Sequence, residues 1–214
     1  MPMPALTTIA AGVRAVAGLL ALLTLASGEA LARPEQVVLI RHGHKDRPVG
    51  EQTSNYNLSA IGQRQALQLA GLPACLGVRP EALRLASYGF DLETGKNARS
   101  YQTLVPMAVA SGRNIRVLAD AEQASEAIGQ RLLQDPTYEG TTLVIAWEHR
   151  RLPQLARGLG WSTMPDVDDG DFDSLWLLRF RVDDSSPQVR VESQRRLLAA
   201  CSRGAAPAPP GQRP

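Results

Sequence analysis

The strongest constraint on the fold is an alternation along the chain. Short apolar, β-branched runs are separated by stretches whose apolar residues recur every three to four positions. Gln36-Val37-Val38-Leu39-Ile40 reads as a buried strand, Leu83 to Tyr88 as a second, Ile115 to Leu118 as a short third and Thr142 to Trp147 as the clearest of all. Residues 59–72 read as a helix, with Gly62, Ala66, Leu69 and Ala70 on one face. Residues 98–110 read as another, in which Pro106 either kinks the helix or marks its first turn. Ala121, Ala124, Ile128 and Leu132 share a helix face. So do Leu152, Leu155, Ala156 and Leu159, with Gly160 as a C-terminal cap. Two later runs, Ser174 to Val182 and Gln188 to Val191, read as strands joined by a turn-rich segment over 183–187. This order predicts an α/β fold: a three-layer αβα sandwich, its sheet mostly parallel with an antiparallel edge hairpin.

The segments at the two ends do not share this pattern. Arg14 precedes an apolar core from Ala15 to Ala26, and the next charge is Glu29. That core is shorter than the about 20 residues that a bilayer span needs, and it fits the apolar region of a signal peptide. Ala30-Leu31-Ala32 supplies a small-x-small cleavage signal, so residues 1–32 are expected to be removed. That leaves a domain over 33–203 without a stable membrane anchor, and a disordered, proline-rich tail over 204–214. Export puts the chain in the periplasm or outside the cell. There its two cysteines, Cys75 and Cys201, are free to form one disulfide. A net charge of +2 argues against a nucleic-acid partner. The basic residues are skewed, because only Lys45 and Lys96 are lysines among 23. Arginine suits forked recognition of phosphate or carboxylate, although a GC-rich genome produces the same bias.

The chemistry gathers where strands end. Arg41-His42-Gly43-His44 follows the first strand and Glu148-His149 follows the strand from Thr142. In open α/β sheets the ligand crevice lies outside the carboxyl ends of the strands, so two distant segments are aimed at one place. The chain has three histidines, and His42, His44 and His149 all fall there. Such clustering points to a site.

These residues resemble the histidine phosphatase superfamily, also called phosphoglycerate mutase-like. Arg41-His42-Gly43 after Val-Val-Leu-Ile looks like its signature. Leu58-Ser59-x-x-Gly62-x-x-Gln65-Ala66 looks like its first helix. Gly95-x-Asn97-x-Arg99-Ser100-x-Gln102-Thr103 looks like its second-arginine motif, and Trp147-Glu148-His149 with Leu152-Pro153 and Leu159-Gly160 like its second-histidine segment. Phe172-Asp173-x-Leu175-Trp176 resembles its closing strand. The matches run in the family's order over about residues 37–180.

The resemblance implies a cofactor-free phosphatase acting on a small phosphorylated substrate. His42 would be the nucleophile, forming phosphohistidine that water then hydrolyses. Arg41 and Arg99 would clamp the phosphoryl group and lower the pKa of His42. His149 would donate to a phosphoryl oxygen, and Gly43 would let the backbone approach closely. The general acid is open among Asp120, Glu122 and Glu148. An aspartate after the second histidine marks one branch of the family, but here Arg150 stands there. His44 stands where the family usually carries Glu or Gln. Without a clear acid, acyl phosphates or activated esters become better substrates. Lys45, Asp46, Arg47, Arg150 and Arg151 are candidates for shaping specificity. Three other readings compete. One is a phosphoglycerate-type mutase, which export disfavours. Another is a non-catalytic phosphate-binding relative. The last is a zinc hydrolase using His42, His44 and His149, disfavoured by the flanking arginines and by Gly43, which favours a turn.

Overall fold

A computed structural model describes residues 33–45, 55–118, 124–181, 184 and 186–204. The signal-peptide segment, Asp46, Arg47, Asp120, Ala121, Glu122, part of the 183–187 turn and the tail from 205 lie outside the described residues. Among the described residues the strands and helices follow the expected order, with two helices more than expected. They are β1 (Gln36–Arg41), α1 (Ala60–Leu69), α2 (Leu72–Cys75), β2 (Leu83–Tyr88), α3 (Arg99–Ser111) and β3 (Ile115–Leu118). They continue with α4 (Ser125–Gln134), β4 (Thr142–Trp147), α5 (Leu152–Gly158), β5 (Ser174–Arg179), β6 (Gln188–Ser193) and α6 (Gln194–Gly204).

One six-stranded sheet runs in the order β3-β2-β4-β1-β5-β6. The β3–β2, β2–β4 and β4–β1 pairs are parallel, while β1–β5 and β5–β6 are antiparallel. The four parallel strands are thus extended at one side by the antiparallel hairpin. Strands buried on both faces carry unbroken apolar runs, and β1 and β4 show this directly. Val37 and Leu39 of β1 with Leu143 and Ile145 of β4 pack on Ile128 and Leu132 of α4 and Leu152, Leu155 and Ala156 of α5. Their alternating neighbours Val38, Ile40, Val144 and Ala146 pack on the other face, against Leu69 of α1 and Leu104 and Met107 of α3. Each fully buried Val, Leu, Ile or Met among these contributes about 1.5–3 kcal/mol relative to exposure, so both helical layers are anchored through these two strands.

Several boundaries differ from expectation. The first helix breaks at Ala70–Gly71, so residues 59–72 become α1, capped by the Ser59 hydroxyl on the Gly62 amide, followed by α2. Pro106 lies inside α3. The strand from Ser174 stops at Arg179, and β6 runs on to Ser193. Gly160 has φ +87 and follows α5, as expected of a C-terminal cap. Helix α6 has no counterpart in the sequence reading, and it ends at Gly204, where a tail was expected to begin. Its Leu197 and Leu198 pack on the core layer beside α1 and α3. A disulfide between Cys75 of α2 and Cys201 fastens it there.

Candidate active site

The site follows from strand register. Arg41 at the end of β1 lies opposite Trp147 at the end of β4, and the ladder continues one step through a His42 N–H donated to the Trp147 carbonyl at 3.1 Å. His42 and the Glu148-His149 segment therefore leave the sheet side by side. The two imidazoles meet edge to face with centroids 5.9 Å apart. Together with Lys45, Lys96, Asn97, Arg99, Ser100, Glu148 and Arg150 they line a polar cavity of about 280 Å³.

His42 is buried, and its Nδ1 sits 2.9 Å from the Gly43 carbonyl oxygen. A carbonyl can only accept, so Nδ1 carries the ring proton and the lone pair resides on Nε2. Burial pushes the His42 pKa from 6.5 down to about 4. The Gly43 hydrogen bond opposes this, while the charges of Arg41, His149 and Arg99 add to it. The ring is neutral, and hence nucleophilic, at any pH near 7. Acid stability should record this. On acidification the unfolded ring takes up its proton near 6.5, whereas the folded ring resists until about 4. The unfolded state binds more protons across that window. The contribution is therefore complete above 6.5 and is lost as pH falls towards 4, by about 3 kcal/mol. Urea unfolding of wild type and His42→Ala at pH 7 and pH 4 checks it: the variant should lose correspondingly less stability.

The turn after β1 is held by α1 and α3. The Gly43 N–H donates to Thr103 Oγ1 at 2.8 Å, and that hydroxyl donates to the Arg99 carbonyl at 2.7 Å. The Ser59 N–H donates to the His44 carbonyl at 3.0 Å. A Cβ on Gly43 would press on the Gly62 carbonyl at 3.1 Å, and one on Gly62 would run into the His44 carbonyl. Sequence reasoning took Gly43 to be small for close approach of phosphate. The structure gives a different reason, the contact between this turn and α1, and it commits the Gly43 amide to Thr103.

Arg41 also differs from expectation. Its guanidinium is buried, and one nitrogen donates to the carbonyls of Asp168, Asp169 and Asp171 at 2.9–3.0 Å. It lies over the Phe172 ring at 3.8 Å and is not among the side chains lining the cavity. It ties the 168–172 loop to the end of β1 while adding positive potential at His42. Arg99 does reach the cavity. Its Nε and one terminal nitrogen donate to the carbonyls of Asn57 and Asn55, each at 2.9 Å, which orients the fork.

His149 Nε2 lies 2.6 Å from Asp169 Oδ1. Its Nδ1 lies 2.9 Å from Glu148 Oε1, an ion-pair distance at which the ring does not meet the angle of a hydrogen bond. Burial alone would raise the Glu148 pKa. The contact and charge of His149, the Arg150 amide and His42 outweigh it and hold the carboxyl below the ordinary range. Of the candidate acids, Glu148 is thus in place but ionised, and Asp120 and Glu122 fall outside the described residues. Asp169 was missed, because it belongs to an acidic stretch, Asp166 to Asp173, that reads as a solvated loop. His44 does not line this cavity and stacks on Phe172 with centroids 3.8 Å apart; burial and Arg41 lower its pKa. Among the described residues no three His, Cys, Asp or Glu side chains converge as a metal site, so the three-histidine arrangement is not formed.

No protein-family model matches the chain, and no curated protein matches it. Solved structures do. The protein histidine phosphatase SixA, in complex with tungstate, is 16% identical and aligns with a TM-score of 0.50 over 76% of this chain and 99% of its own. A mycobacterial glucosyl-3-phosphoglycerate phosphatase is 17% identical, with a TM-score of 0.48 over 75% of this chain and 98% of its own. Phosphoglycerate mutase from Bacillus anthracis is 10% identical, with a TM-score of 0.47 over 80% of this chain and 99% of its own. The SixA likeness, with the sheet order, answers the question of fold: the chain folds as SixA does, as a mixed α/β sandwich whose four parallel strands carry an antiparallel hairpin at one edge.

Proposed function

We propose that the chain is an exported phosphatase that hydrolyses a small phosphorylated compound through phosphohistidine on His42. The observation that carries this reading is the state of His42. It is a buried, neutral imidazole, its proton committed to the Gly43 carbonyl, at the wall of a cavity shared with Arg99 and His149. In the first step the Nε2 lone pair forms an N–P bond as the P–O bond to the leaving group breaks, and the leaving oxygen departs with the electron pair. Arg99 and His149 meet the phosphoryl oxygens as charge spreads over them. In the second step water attacks phosphorus, the N–P bond breaks, and both water protons leave with the inorganic phosphate, while Nε2 of His42 regains its lone pair and Nδ1 keeps its proton, still donated to the Gly43 carbonyl. Glu148 is already ionised, so the resting site offers no proton from it to the leaving group. Unless Asp120 or Glu122 supplies that proton, compounds whose leaving group needs none, such as acyl phosphates or activated esters, suit this site best.

The test is phosphate release from an aryl phosphate after exhaustive chelation. The proposal expects activity to persist. Activity lost to the chelator and restored by Zn²⁺ would assign the chemistry to a metal instead.

Asp169 gives a sharper check on how phosphate is held. Its carboxylate occupies the His149 nitrogen that the phosphoryl group needs. Asp169→Asn removes that competing anion, a change of about 1 kcal/mol at a partly exposed pair. Inorganic phosphate should then inhibit at about fivefold lower concentration. Unchanged inhibition would mean that phosphate does not meet His149.

Export is proposed from the sequence alone. N-terminal sequencing of protein from an expressing Gram-negative cell should start at Arg33. An intact Met1 in soluble cytoplasmic protein would overturn it.

A further inference from the structure

The cavity around His42 is more cationic than one phosphoryl group requires. Its lining carries four basic side chains, Lys45, Lys96, Arg99 and Arg150, against one acid, Glu148, whereas a phosphoryl group brings at most two negative charges. The chain uses arginine almost everywhere, and its only two lysines are both here. An ammonium is a compact point charge with rotatable donors, fitted to meeting a single anionic oxygen from a range of directions. Among the described residues neither Lys96 nor Arg150 has an ion-pair partner. The one acid on the wall, Glu148, is engaged by His149.

Lys96 also sits on a turn built to hold it. The Asp91 N–H donates to the Lys96 carbonyl at 3.0 Å, and the Gly95 N–H donates to the Asp91 carbonyl at 2.9 Å. The Asp91 carboxylate accepts from the amides of Glu93 and Thr94. Asn97, the next residue, has φ +70, a left-handed conformation that costs a side-chain-bearing residue free energy. These hydrogen bonds fix the turn that carries Lys96 and Asn97 to the cavity. Cations gathered in a concave site repel one another unless an anion lies between them. At about 280 Å³ the space holds one compact molecule or one phosphorylated side chain.

We infer that the substrate carries a second oxyanion, a phosphate or a carboxylate, beside the phosphoryl group that is transferred, and that Lys96 and Arg150, with Lys45, form its subsite. The inference rests on the phosphatase reading above and narrows its substrate class to compact bis-anionic phosphate compounds. The competing explanation is electrostatic steering, which would draw in any anion and favour none once bound.

The two are separated by calorimetric binding of methylenediphosphonate and methylphosphonate to the intact protein at fixed pH and salt. Neither probe can be hydrolysed in the assay, so affinity is read without turnover. Methylenediphosphonate should bind at least tenfold more tightly. Lys96→Gln combined with Arg150→Gln should cut that advantage to less than threefold, with each single variant removing part of it. The same charge removed at Arg196→Gln with Arg203→Gln, on exposed α6, should leave the advantage intact. Equal affinity for the two probes, or an advantage that survives the Lys96 and Arg150 changes, overturns the subsite. A protein that shows the tenfold preference but releases no phosphate from any ester refutes the phosphatase reading instead. One that hydrolyses an aryl phosphate yet shows no preference refutes the subsite alone.

Discussion

Replacing His42 with alanine is expected to lower kcat for an aryl phosphate by at least about a thousandfold, because it removes the proposed nucleophile. The loss should fall on kcat rather than on phosphate binding. Arg99 is oriented by the carbonyls of Asn55 and Asn57, and His149 by its own carboxylate contacts; neither depends on the His42 ring. Inorganic phosphate should therefore still bind the variant, now lacking the buried imidazole wall. Steady-state kinetics paired with phosphate binding make the split visible. A variant that retained more than a tenth of wild-type kcat would remove His42 from the reaction. One that lost phosphate binding and kcat together would make His42 part of the binding site alone.

The second large effect concerns stability. The Cys75–Cys201 disulfide closes a loop with a sequence separation of 126 residues. In the chain-entropy description a loop of that length corresponds to about 5 kcal/mol at 25 °C. Cys75→Ser with Cys201→Ser should therefore lower Tm by about 10–20 °C at this domain size. Below the new transition, activity should be nearly preserved. His42, Arg99 and His149 are presented by β1, α3 and the turn after β4, and the disulfide touches only α2 and α6. Thermal unfolding and activity at low temperature measure both. An unchanged Tm would show that α6 is held mainly by Leu197, Leu198 and the buried Gln194, which donates to the Ser174 carbonyl at 3.0 Å and accepts from Gln65 at 3.1 Å.

Much of this architecture is legible in the residues. β1 and β4 are unbroken apolar runs because both their faces are covered, and such runs announce the centre of a parallel sheet. His42 and His149 could be placed together because each follows one of those runs. What escaped depends on partners far along the chain. Arg41 reads as a phosphate clamp, yet its hydrogen bonds go to carbonyls 127–130 residues away. Gly43 reads as a concession to a ligand, yet what crowds it is Gly62. Helix α6 is rich in arginine, and its apolar stripe of Leu197, Leu198 and Cys201 is too short to stand out without the disulfide that anchors it. Asp169 is one carboxylate among several in its loop, and only the fold shows that it is the one against His149.

The proposed reaction passes phosphorus through Nε2 of His42, the nitrogen left open when Nδ1 donates to the Gly43 carbonyl. Rapid quenching of the protein with a phosphorylated substrate, followed by ³¹P NMR and mass spectrometry of the trapped chain, tests it directly. An acid-labile, base-stable phosphoryl group should appear on Nε2 of His42 and be absent from His42→Ala. Phosphorus found on Nδ1, on another residue, or retained in the variant would contradict it.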